Sequence, residues 1–384
     1  MKKILIITNY GFGGVLSMLN LVCVYLKNNN VKYDICYYAP FSIYKNLSVP
    51  IYNFLAKKPK FLLKKRRGHT EYKIGSRFPE LEFLNHQGSV WKKVLYNYDL
   101  IFNISGTLIN SIEAVNLKKK IIHWIASPVL HDRESRIKSK SFLRRIFDYI
   151  FIRPKISNLE KKILEYKKQK IYAISDYTKK YFEGISKTNN IKKLSYGIDT
   201  KLYYNTKKRS EKKFTIGFIG RVDDPRKNIN LLLEIYKKTS AFIPDLQLKI
   251  IGGSKDPIKK NKEKNILYKK FPSKSNGLRD YYSSIDIFIV CSFQEGLCIS
   301  ALEAMACGCV VLSTPCLGTK EFVINDKTGH YLSFESNVFV KKIIYLYKNK
   351  KKLKILSKNS IKLINNHYSK DLFLKNFNLN INGA

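Results

Sequence analysis

Acidic residues are scarce in this sequence. Its 384 residues include 29 Asp and Glu against 71 Lys and Arg, which gives a formal net charge of +42. Such a charge attracts polyanions through long-range fields, and the candidates are nucleic acid, an anionic membrane surface and a phosphorylated substrate. Charge alone does not choose among them. Because acids are so few, any acid inside an apolar segment calls for an explanation.

Long apolar runs are also missing. No stretch approaches the 18 residues that a membrane-spanning helix requires, so we expect no spanning helix. The N-terminal segment MKKILIITNYGFGG begins like a signal peptide, but its apolar part is short and leads into a glycine-rich loop. A first β-strand is the better interpretation, and we expect the chain to stay in the cytosol.

The cysteines show no pattern of a disulfide framework or a metal site. There are seven of them, an odd number, and no pair has the CxxC spacing. Cys307 and Cys309 are only two residues apart. We expect buried, reduced thiols.

The sequence does have a regular alternation of short apolar runs and helical segments. Strand-like runs include KKILIIT, YDICYYA and YDLIFNIS in the first half, and FTIGFIGR, LQLKIIGG, IDIFIVCS and CVVLST in the second. Short apolar strands separated by helices indicate parallel sheets covered on both faces. We therefore predict an α/β fold of two doubly wound domains, residues 1–200 and 201–384, with helices on the Lys-rich tail. The boundary falls in the polar segment 199–213.

Two segments of the first half mix basic and apolar residues, at 54–73 and 136–155. Either segment could be a solvated helix face. The alternative is attachment to an anionic membrane surface, with basic side chains among the headgroups and Phe and Leu below them. The protein would then lie peripherally on the inner face of the cell membrane.

Two glutamates lie within the apolar segment SFQEGLCISALEAMACGCVVLS, residues 292–313. Glu295 follows a predicted strand, and ligands of parallel sheets bind beyond the carboxyl ends of the strands. The next helix is predicted to begin near Ile299 or Ser300, and a helix N-terminus favours a phosphate. Glu303 would lie inside that helix, where it either pairs with a lysine or accepts hydrogen bonds from a ribose diol.

A second cluster of charged residues is GRVDDPRKN. Arg221 follows a strand and Lys227 precedes a helix, and such a pair suits a diphosphate. A basic solvent-facing loop is the alternative. Asp223 and Asp224 would be metal ligands on another interpretation, but Asp-Asp-Pro is more typical of a turn. With Glu303 on the ribose, the two cations predict a nucleotide-diphosphate site.

The segment SFQEGLCISALEAMACGCVVLSTPCLGTKEFV resembles the donor-site signature of retaining glycosyltransferases of family 4. Further segments resemble that family in the same order: AISDYTKKYF, YGIDTKLY, GRVDDPRKN and NDKTGHYL. The likeness covers most of residues 171–332, and in the first half it rests mainly on GFGGV. It implies two Rossmann-like domains facing across a cleft, and transfer of a sugar from a nucleotide-diphosphate sugar with retention of anomeric configuration. It implies no cofactor and usually no bound metal.

The resemblance also implies roles for individual residues. The catalytic residues would be Glu295, Arg221 and Lys227. Glu295 would contact hydroxyls of the donor sugar, and the two cations would neutralise the diphosphate as it leaves. The donor-binding residues would be Glu303, Gly296, Leu297, Gly13 and Gly14.

The chain departs from the family at three places, of which the mildest is Lys227-Asn228 where relatives have Lys-Gly, because Asn tolerates left-handed geometry. Many relatives have Gly-Gly where this chain has Gly318 and Thr319. Many also carry a histidine in a strand resembling IIHWIASP, at a position that is Ala126 here. His123 comes three residues earlier and His131 five residues later, and these two are the candidates for the acceptor side. A structural histidine is the alternative for each of them, and it is the more common role.

The predicted function is therefore glycosyl transfer in cell-surface polysaccharide or glycolipid synthesis. The partners would be a nucleotide sugar and a glycan or lipid-linked acceptor. A nucleotide-sugar epimerase or hydrolase is the alternative on the same architecture. A polyanion-binding protein is an alternative of another class, but it does not explain two acids in an apolar segment. The sequence shows no nucleic-acid recognition motif with interleaved aromatics, so we expect no nucleic-acid partner.

Overall fold

The computed structural model divides the chain into two compact units, Met1–Leu194 and Ser195–Gly383. The structure describes residues 3–10, 13–38, 45–49, 59–66, 68–78, 82–138, 140–186, 190–206, 213–253, 265–272 and 275–381. The predicted boundary at residues 200 and 201 lies a short way beyond the division between the units. Part of the predicted linker, residues 207–212, lies outside the described residues, as do residues 11 and 12 of the glycine-rich loop.

The first unit is built on a mixed sheet. Its strands are β1 (Ile4–Asn9), β2 (Tyr33–Tyr38), β3 (Phe61–Arg66), β4 (His69–Ile74), β5 (Leu100–Gly106), β6 (Lys120–Ile125), β7 (Gln169–Ala173) and β8 (Ile191–Lys193). They pair in the order β3-β4-β2-β1-β5-β6-β7-β8, and every pair is parallel except β3 with β4. Residues 4–7 of β1 are all buried although successive side chains point to opposite faces, so this strand is covered on both sides.

Seven α-helices accompany this sheet in the described part of the first unit. They are α1 (Gly14–Asn28), α2 (Ser89–Leu95), α3 (Ile112–Asn116), α4 (Val129–Ile137), α5 (Phe142–Phe147), α6 (Arg153–Leu164) and α7 (Asp176–Ile185). A π-helical turn, Asp148–Ile152, joins α5 directly to α6. Short 3₁₀ turns cover Glu82–His86 and Ile109–Ser111.

The second unit is built on an all-parallel sheet. Its strands are β9 (Thr215–Ile219), β10 (Gln247–Gly252), β11 (Ile266–Lys270), β12 (Ile287–Val290), β13 (Val310–Ser313) and β14 (Gly329–Tyr331). Its helices are α8 (Ile229–Ser240), α9 (Ser275–Ser283), α10 (Ile299–Ala306), α11 (Ser336–Lys348), α12 (Lys350–His367) and α13 (Lys370–Ile381). The last three lie on the Lys-rich tail, as predicted.

The strand order places the candidate residues. The second sheet runs β11-β10-β9-β12-β13-β14, which is the 3-2-1-4-5-6 order of doubly wound dinucleotide-binding sheets. The order reverses between β9 and β12, and ligands of such sheets bind beyond the carboxyl ends of the strands at this point. The first sheet reverses in the same way between β1 and β5. The prediction of two doubly wound α/β units is confirmed.

Two helix ends agree with the local sequence signals. The Ser175 hydroxyl accepts a hydrogen bond from the backbone N–H of Thr178, as an N-cap serine does at the start of α7. Gly308 follows the last turn of α10 with φ of +83°, and a side chain there would press on Asn205 and Ser357. Glycine therefore ends this helix for both conformational and packing reasons.

The two basic-apolar segments fold differently from each other. The described part of residues 54–73 forms the antiparallel hairpin of β3 and β4 at the sheet edge, so a helix face is wrong for this segment. Residues 54–58 and 67 lie outside the described residues. The described part of residues 136–155 is mostly helical, in α4, α5, the π turn and α6. Within the described ranges, no helix combines the length and the apolar content needed to cross a bilayer.

Candidate functional site

Two loops meet where the order of the second sheet reverses. One follows β9 and carries Arg221 and Lys227, and the other follows β12 and carries Glu295. The backbone N–H of Phe293 donates to the carbonyl oxygen of Arg226 at 2.8 Å, which ties the two loops together. Residues 68 positions apart in the chain are thereby brought into direct contact.

The central contact is an ion pair between Lys227 and Glu295. Lys227 Nζ lies 2.5 Å from Glu295 Oε1, and the Ser292 hydroxyl donates to the same oxygen at 2.6 Å. Only 17% of the lysine side chain and 14% of the glutamate side chain are exposed. Burial alone would raise the pKa of Glu295, but the Lys227 ammonium and the hydrogen bonds outweigh it and lower that pKa. Burial likewise opposes the charge on Lys227, but Glu295 raises its pKa, so both groups stay ionised.

The other cations of this loop are organised by Asp224. Its carboxylate receives the guanidinium of Arg226 at 2.8 Å and that of Arg221 at 2.7 Å. Burial favours the neutral acid, but the Arg226 hydrogen bonds and the two positive charges lower the pKa of Asp224 well below its usual range. Asp224 therefore serves the turn and its arginines rather than a metal ion. Arg221 remains half-exposed beside it.

A glycine fixes the backbone around Glu295. Gly318 lies in a 3₁₀ turn, Leu317–Thr319, and packs directly on the Glu295–Gly296 backbone. A Cβ at residue 318 would overlap the Glu295 carbonyl oxygen and stand 2.6 Å from the Gly296 carbonyl group. The neighbouring Thr319 is fully buried and its hydroxyl contacts those of Ser313 and Tyr331, each at 2.8 Å. The Glu295–Gly296 backbone is thus held by close packing in addition to the ion pair.

We expect Gly318→Ala to destabilise the protein by about 1–3 kcal/mol, because the new methyl group has to displace the Glu295–Gly296 backbone. Urea unfolding would measure this. Gly184→Ala is the matched control, since a Cβ at residue 184, inside α7, meets nothing within 4 Å. Equal stability of the Gly318→Ala protein and the wild type would contradict the packing described above.

Glu303 lies one turn into α10 and is buried. The Tyr282 hydroxyl donates to its Oε2 at 2.8 Å, and the Tyr203 hydroxyl also hydrogen-bonds to this carboxylate. The partners of Glu303 are therefore two tyrosines and not a lysine. Burial raises the pKa of Glu303 to about 7, against the opposing effect of the two hydroxyls. The group thus changes charge near neutral pH.

The first turn of α10 follows an unusual backbone. Cys298, which precedes the helix, has φ of +63°, and the helix begins at Ile299 as predicted. Leu297 is buried, while Gly296 is partly exposed. Glu295 lies three residues before this bend, so one short loop carries the acid, the glycine and the start of the helix.

The candidate glycines of the first unit lie between β1 and α1. Gly13 has φ of +104° and precedes Gly14, the first residue of α1. A Cβ at Gly13 would meet nothing within 4 Å, so conformation rather than space requires glycine there. At the end of β5, Gly106 packs against Val15 and Ala126, where a Cβ would stand 3.0 and 3.8 Å from their side chains. The carboxyl end of β5 is therefore closely packed, and a side chain at residue 106 would press on Val15.

The two histidines differ in accessibility. His123 is completely buried in β6, and its Nδ1 lies 3.2 Å from the Asn103 amide. Burial lowers the pKa of His123 to about 3 against the smaller, opposing effect of the Gln169 side chain, so it is neutral. The complete burial of His123 favours the structural role, which was one of the two alternatives for this residue. His131 is half-buried, contacts the Tyr177 hydroxyl through Nδ1 and has a pKa lowered by burial. It remains a candidate.

Residues 201–363, most of the second unit, match the family described as Glycosyl transferases group 1. The second unit belongs to the glycosyl transferases group 1 family. Two curated proteins resemble part of this chain. An uncharacterized glycosyltransferase of Haemophilus influenzae is 29% identical over 174 residues, 44% of this chain and 48% of its own length. Lipopolysaccharide 1,2-N-acetylglucosaminetransferase of Salmonella typhimurium is 30% identical over 133 residues, 30% of this chain and 34% of its own. The chain spans about half the length of these relatives or less.

Solved structures resemble the whole chain. Sucrose-phosphate synthase of Thermosynechococcus elongatus has a TM-score of 0.74 at 17% identity, covering 100% of this chain and 99% of its own. Anabaena HepE in complex with UDP and glucose has a TM-score of 0.71 at 13% identity, covering 100% of both chains. At these identities the likeness establishes the two-domain fold of this chain and nothing about its activity.

Some residues of the group 1 domain were not found from the sequence. Tyr282 and Tyr203 carry the hydrogen bonds to Glu303, but nothing local marks either tyrosine. The available signal was that an acid in an apolar helix needs a partner. The role of Gly318 was also missed, because its contact with Gly296 joins two loops that follow different strands.

Proposed function

We propose that this protein is a glycosyltransferase that moves a sugar from a nucleotide-diphosphate sugar to a hydroxyl of a glycan or glycolipid acceptor. The observation that carries the proposal is the buried Lys227–Glu295 pair at the strand-order reversal of a group 1 domain. A fixed ammonium at this point can receive a diphosphate, and a fixed carboxylate can receive sugar hydroxyls. Both groups are charged before the substrate arrives, so no reorganisation is required during the reaction.

In this proposal the donor is held by groups of the second unit. Lys227 and the half-exposed Arg221 neutralise the diphosphate, whose negative charge grows as the glycosidic bond breaks. Glu303 accepts hydrogen bonds from the ribose hydroxyls. Glu295 accepts hydrogen bonds from the donor sugar, and the N–H groups of Gly296 and Leu297 lie near sugar and phosphate.

Two groups of the first unit complete the assignment. Gly13 and Gly14 present backbone without a side chain to the phosphates or the sugar, and His131 serves the acceptor. We further propose retention of anomeric configuration, by attack of the acceptor hydroxyl on the face that the diphosphate leaves. The leaving phosphate then takes the proton of that hydroxyl, so no side chain has to act as a base.

The complex of HepE with UDP and glucose and the lipopolysaccharide-modifying relative support the substrate classes in this proposal. They favour a UDP-sugar among the possible donors and a cell-surface glycan or glycolipid as the acceptor. We propose that transfer needs no divalent metal, because the lysine and arginine supply the positive charge. Full activity after treatment with EDTA is the expected result, and an activity that returns only with added metal ions would contradict it.

The test of function is a thermal-shift screen against UDP-, GDP-, ADP- and CDP-sugars, followed by a product assay with the donor that binds. A donor at 100 times its dissociation constant should stabilise the protein by about 2.7 kcal/mol. The product assay is repeated without acceptor. If isomerised donor or free sugar then forms in undiminished yield, the activity is epimerisation or hydrolysis and not transfer. Failure of every nucleotide sugar to bind would refute the proposal.

A further inference from the structure

The helix that runs from α5 through the π turn into α6 exposes an unusual amount of apolar surface. Six large Phe, Leu and Ile side chains project into solvent along it, in addition to the exposed Tyr149. They are Phe142, Leu143, Ile146, Phe147, Ile150 and Phe151, here called the apolar face. Leu143 is 78% exposed and Phe142 67%. Single exposed apolar residues are ordinary, but a contiguous group marks an interaction surface.

The spacing puts these six residues on one side of the helix. They form two rows with steps of four, 142-146-150 and 143-147-151. The π turn Asp148–Ile152 keeps the rows together, because an i→i+5 turn rotates the chain less per residue than an α turn. The apolar face is therefore continuous across the junction with α6.

The opposite side of the same helix is anchored in the first unit. Ile152 and Ile156 are buried and pack in a cluster with Phe83 and Ile109. Asp148 is also fully buried, and its carboxylate pairs with the guanidinium groups of Arg133 and Arg153. The outward orientation of the apolar face is thus fixed by packing and by ion pairs on the other side.

The surroundings of the apolar face are positively charged. Residues 136–155 contain seven Lys and Arg and a single acid, Asp148, whose charge is already paired inside the unit. Arg145 is exposed and has no ion-pair partner among the residues that the structure describes. The Arg144 guanidinium lies 5.4 Å from the centre of the Phe147 ring, so charged and apolar groups are interleaved.

The combination of exposed apolar side chains and surrounding cations indicates what kind of partner would cover the apolar face. A second copy of the chain would bring two groups of seven cations together, which opposes self-association. Nucleic acid would satisfy the cations but would leave the apolar face in water. An anionic bilayer satisfies both, because its headgroups are negative and its interior receives apolar side chains to a depth of about 5–10 Å.

We propose that the apolar face docks the protein on an anionic lipid bilayer, with Leu143 and Ile150 entering the headgroup region and Arg145 contacting lipid phosphates. The helix lies in the plane of the surface and does not cross it. This inference is independent of the proposed glycosyl transfer, since the binding needs neither a sugar donor nor an acceptor.

Vesicle sedimentation with the full chain tests the proposal. The vesicles are phosphatidylcholine with or without phosphatidylglycerol. Wild-type protein should bind the anionic vesicles and not the neutral ones. The double variant Leu143→Glu/Ile150→Glu should lower the partition coefficient at least about tenfold, because each side chain loses its apolar contact. The matched control is Phe242→Glu/Ile355→Glu, which alters two exposed apolar residues of the second unit and changes net charge equally. Equal loss in both variants would overturn the proposal.

A fluorescence experiment reports the depth of insertion. Trp91 and Trp124, the two tryptophans of the chain, are buried, so a Leu143→Trp side chain would be the solvent-exposed reporter. Its emission should shift to the blue on anionic vesicles and be quenched by brominated lipid. Unchanged emission would overturn the proposal, and so would sedimentation showing a dimer that the double variant dissociates. Unaltered circular dichroism and melting temperature would show that the variants are folded.

Discussion

Lys227→Met is expected to lower the turnover number of sugar transfer by about 10²–10³-fold at saturating donor. Methionine keeps most of the length of the lysine side chain but removes the charge that would neutralise the departing diphosphate. The measurement is the initial rate of nucleoside diphosphate release. Lys238→Met is the matched control, since Lys238 also pairs with a glutamate, Glu234 at 2.8 Å, on the exposed side of α8. Its turnover should stay at the wild-type value.

The same substitution should also destabilise the fold, and the two effects have to be separated. Removing Lys227 leaves the Glu295 carboxylate buried without its partner, which costs about 3 kcal/mol. The double variant Lys227→Met/Glu295→Gln removes both charges and should recover much of that stability in urea unfolding. Its turnover should stay low. A double variant that regains wild-type turnover would show that Lys227 only balances the charge of Glu295.

Glu303→Gln is expected to weaken donor binding about tenfold or more above pH 7, because an ionised acceptor makes stronger hydrogen bonds with hydroxyls than an amide does. In the wild type the affinity should fall as pH drops below about 7, the pKa of the buried carboxyl group. In the variant this dependence should disappear. Calorimetric titration of the donor at several pH values measures both effects. If donor affinity depends on pH in the same way in both proteins, Glu303 does not bind the ribose.

Glu303 should also make the fold less stable at higher pH. Its pKa is about 7 in the folded chain against an ordinary 4.5, so between these values the folded protein holds a proton that unfolding releases. Wild-type stability should therefore fall, by on the order of 3 kcal/mol, as pH rises from 4.5 to 7, and this part should be absent from Glu303→Gln. Urea unfolding of both proteins at pH 5 and pH 8 gives the difference. Tyr282→Phe should move the midpoint upward, since it removes a hydrogen-bond donor to the carboxylate.

Local signals in the sequence were sufficient for the framework of the fold. Apolar strands such as β9 and β12 are buried along their whole length. A strand of that kind can be predicted from its own residues, without knowledge of its neighbours in the sheet. Ser175 and Gly308 end or begin helices by contacts within a few residues. The hairpin of β3 and β4 was misinterpreted because LLKKR has no helical or strand period, and its conformation depends on pairing at the sheet edge.

The contacts among the predicted site residues could not be read from the sequence. Lys227 and Glu295 were both expected at the diphosphate and the sugar, yet their direct pairing depends on how two distant loops meet. The tyrosines around Glu303 and the complete burial of His123 follow from tertiary packing in the same way. Residue type and spacing state which chemistry is available, while three-dimensional neighbours decide which charge each group carries.

The hydrogen bond from Phe293 to the Arg226 carbonyl uses main-chain atoms alone. This hydrogen bond therefore does not require particular side chains at those two positions, one of which, Phe293, is about half exposed. Substitutions there can alter what the loops touch without altering how far apart they stand. A backbone link of this kind allows side chains in the two loops to change, and with them the ligand that is bound, while the distance between Lys227 and Glu295 is kept.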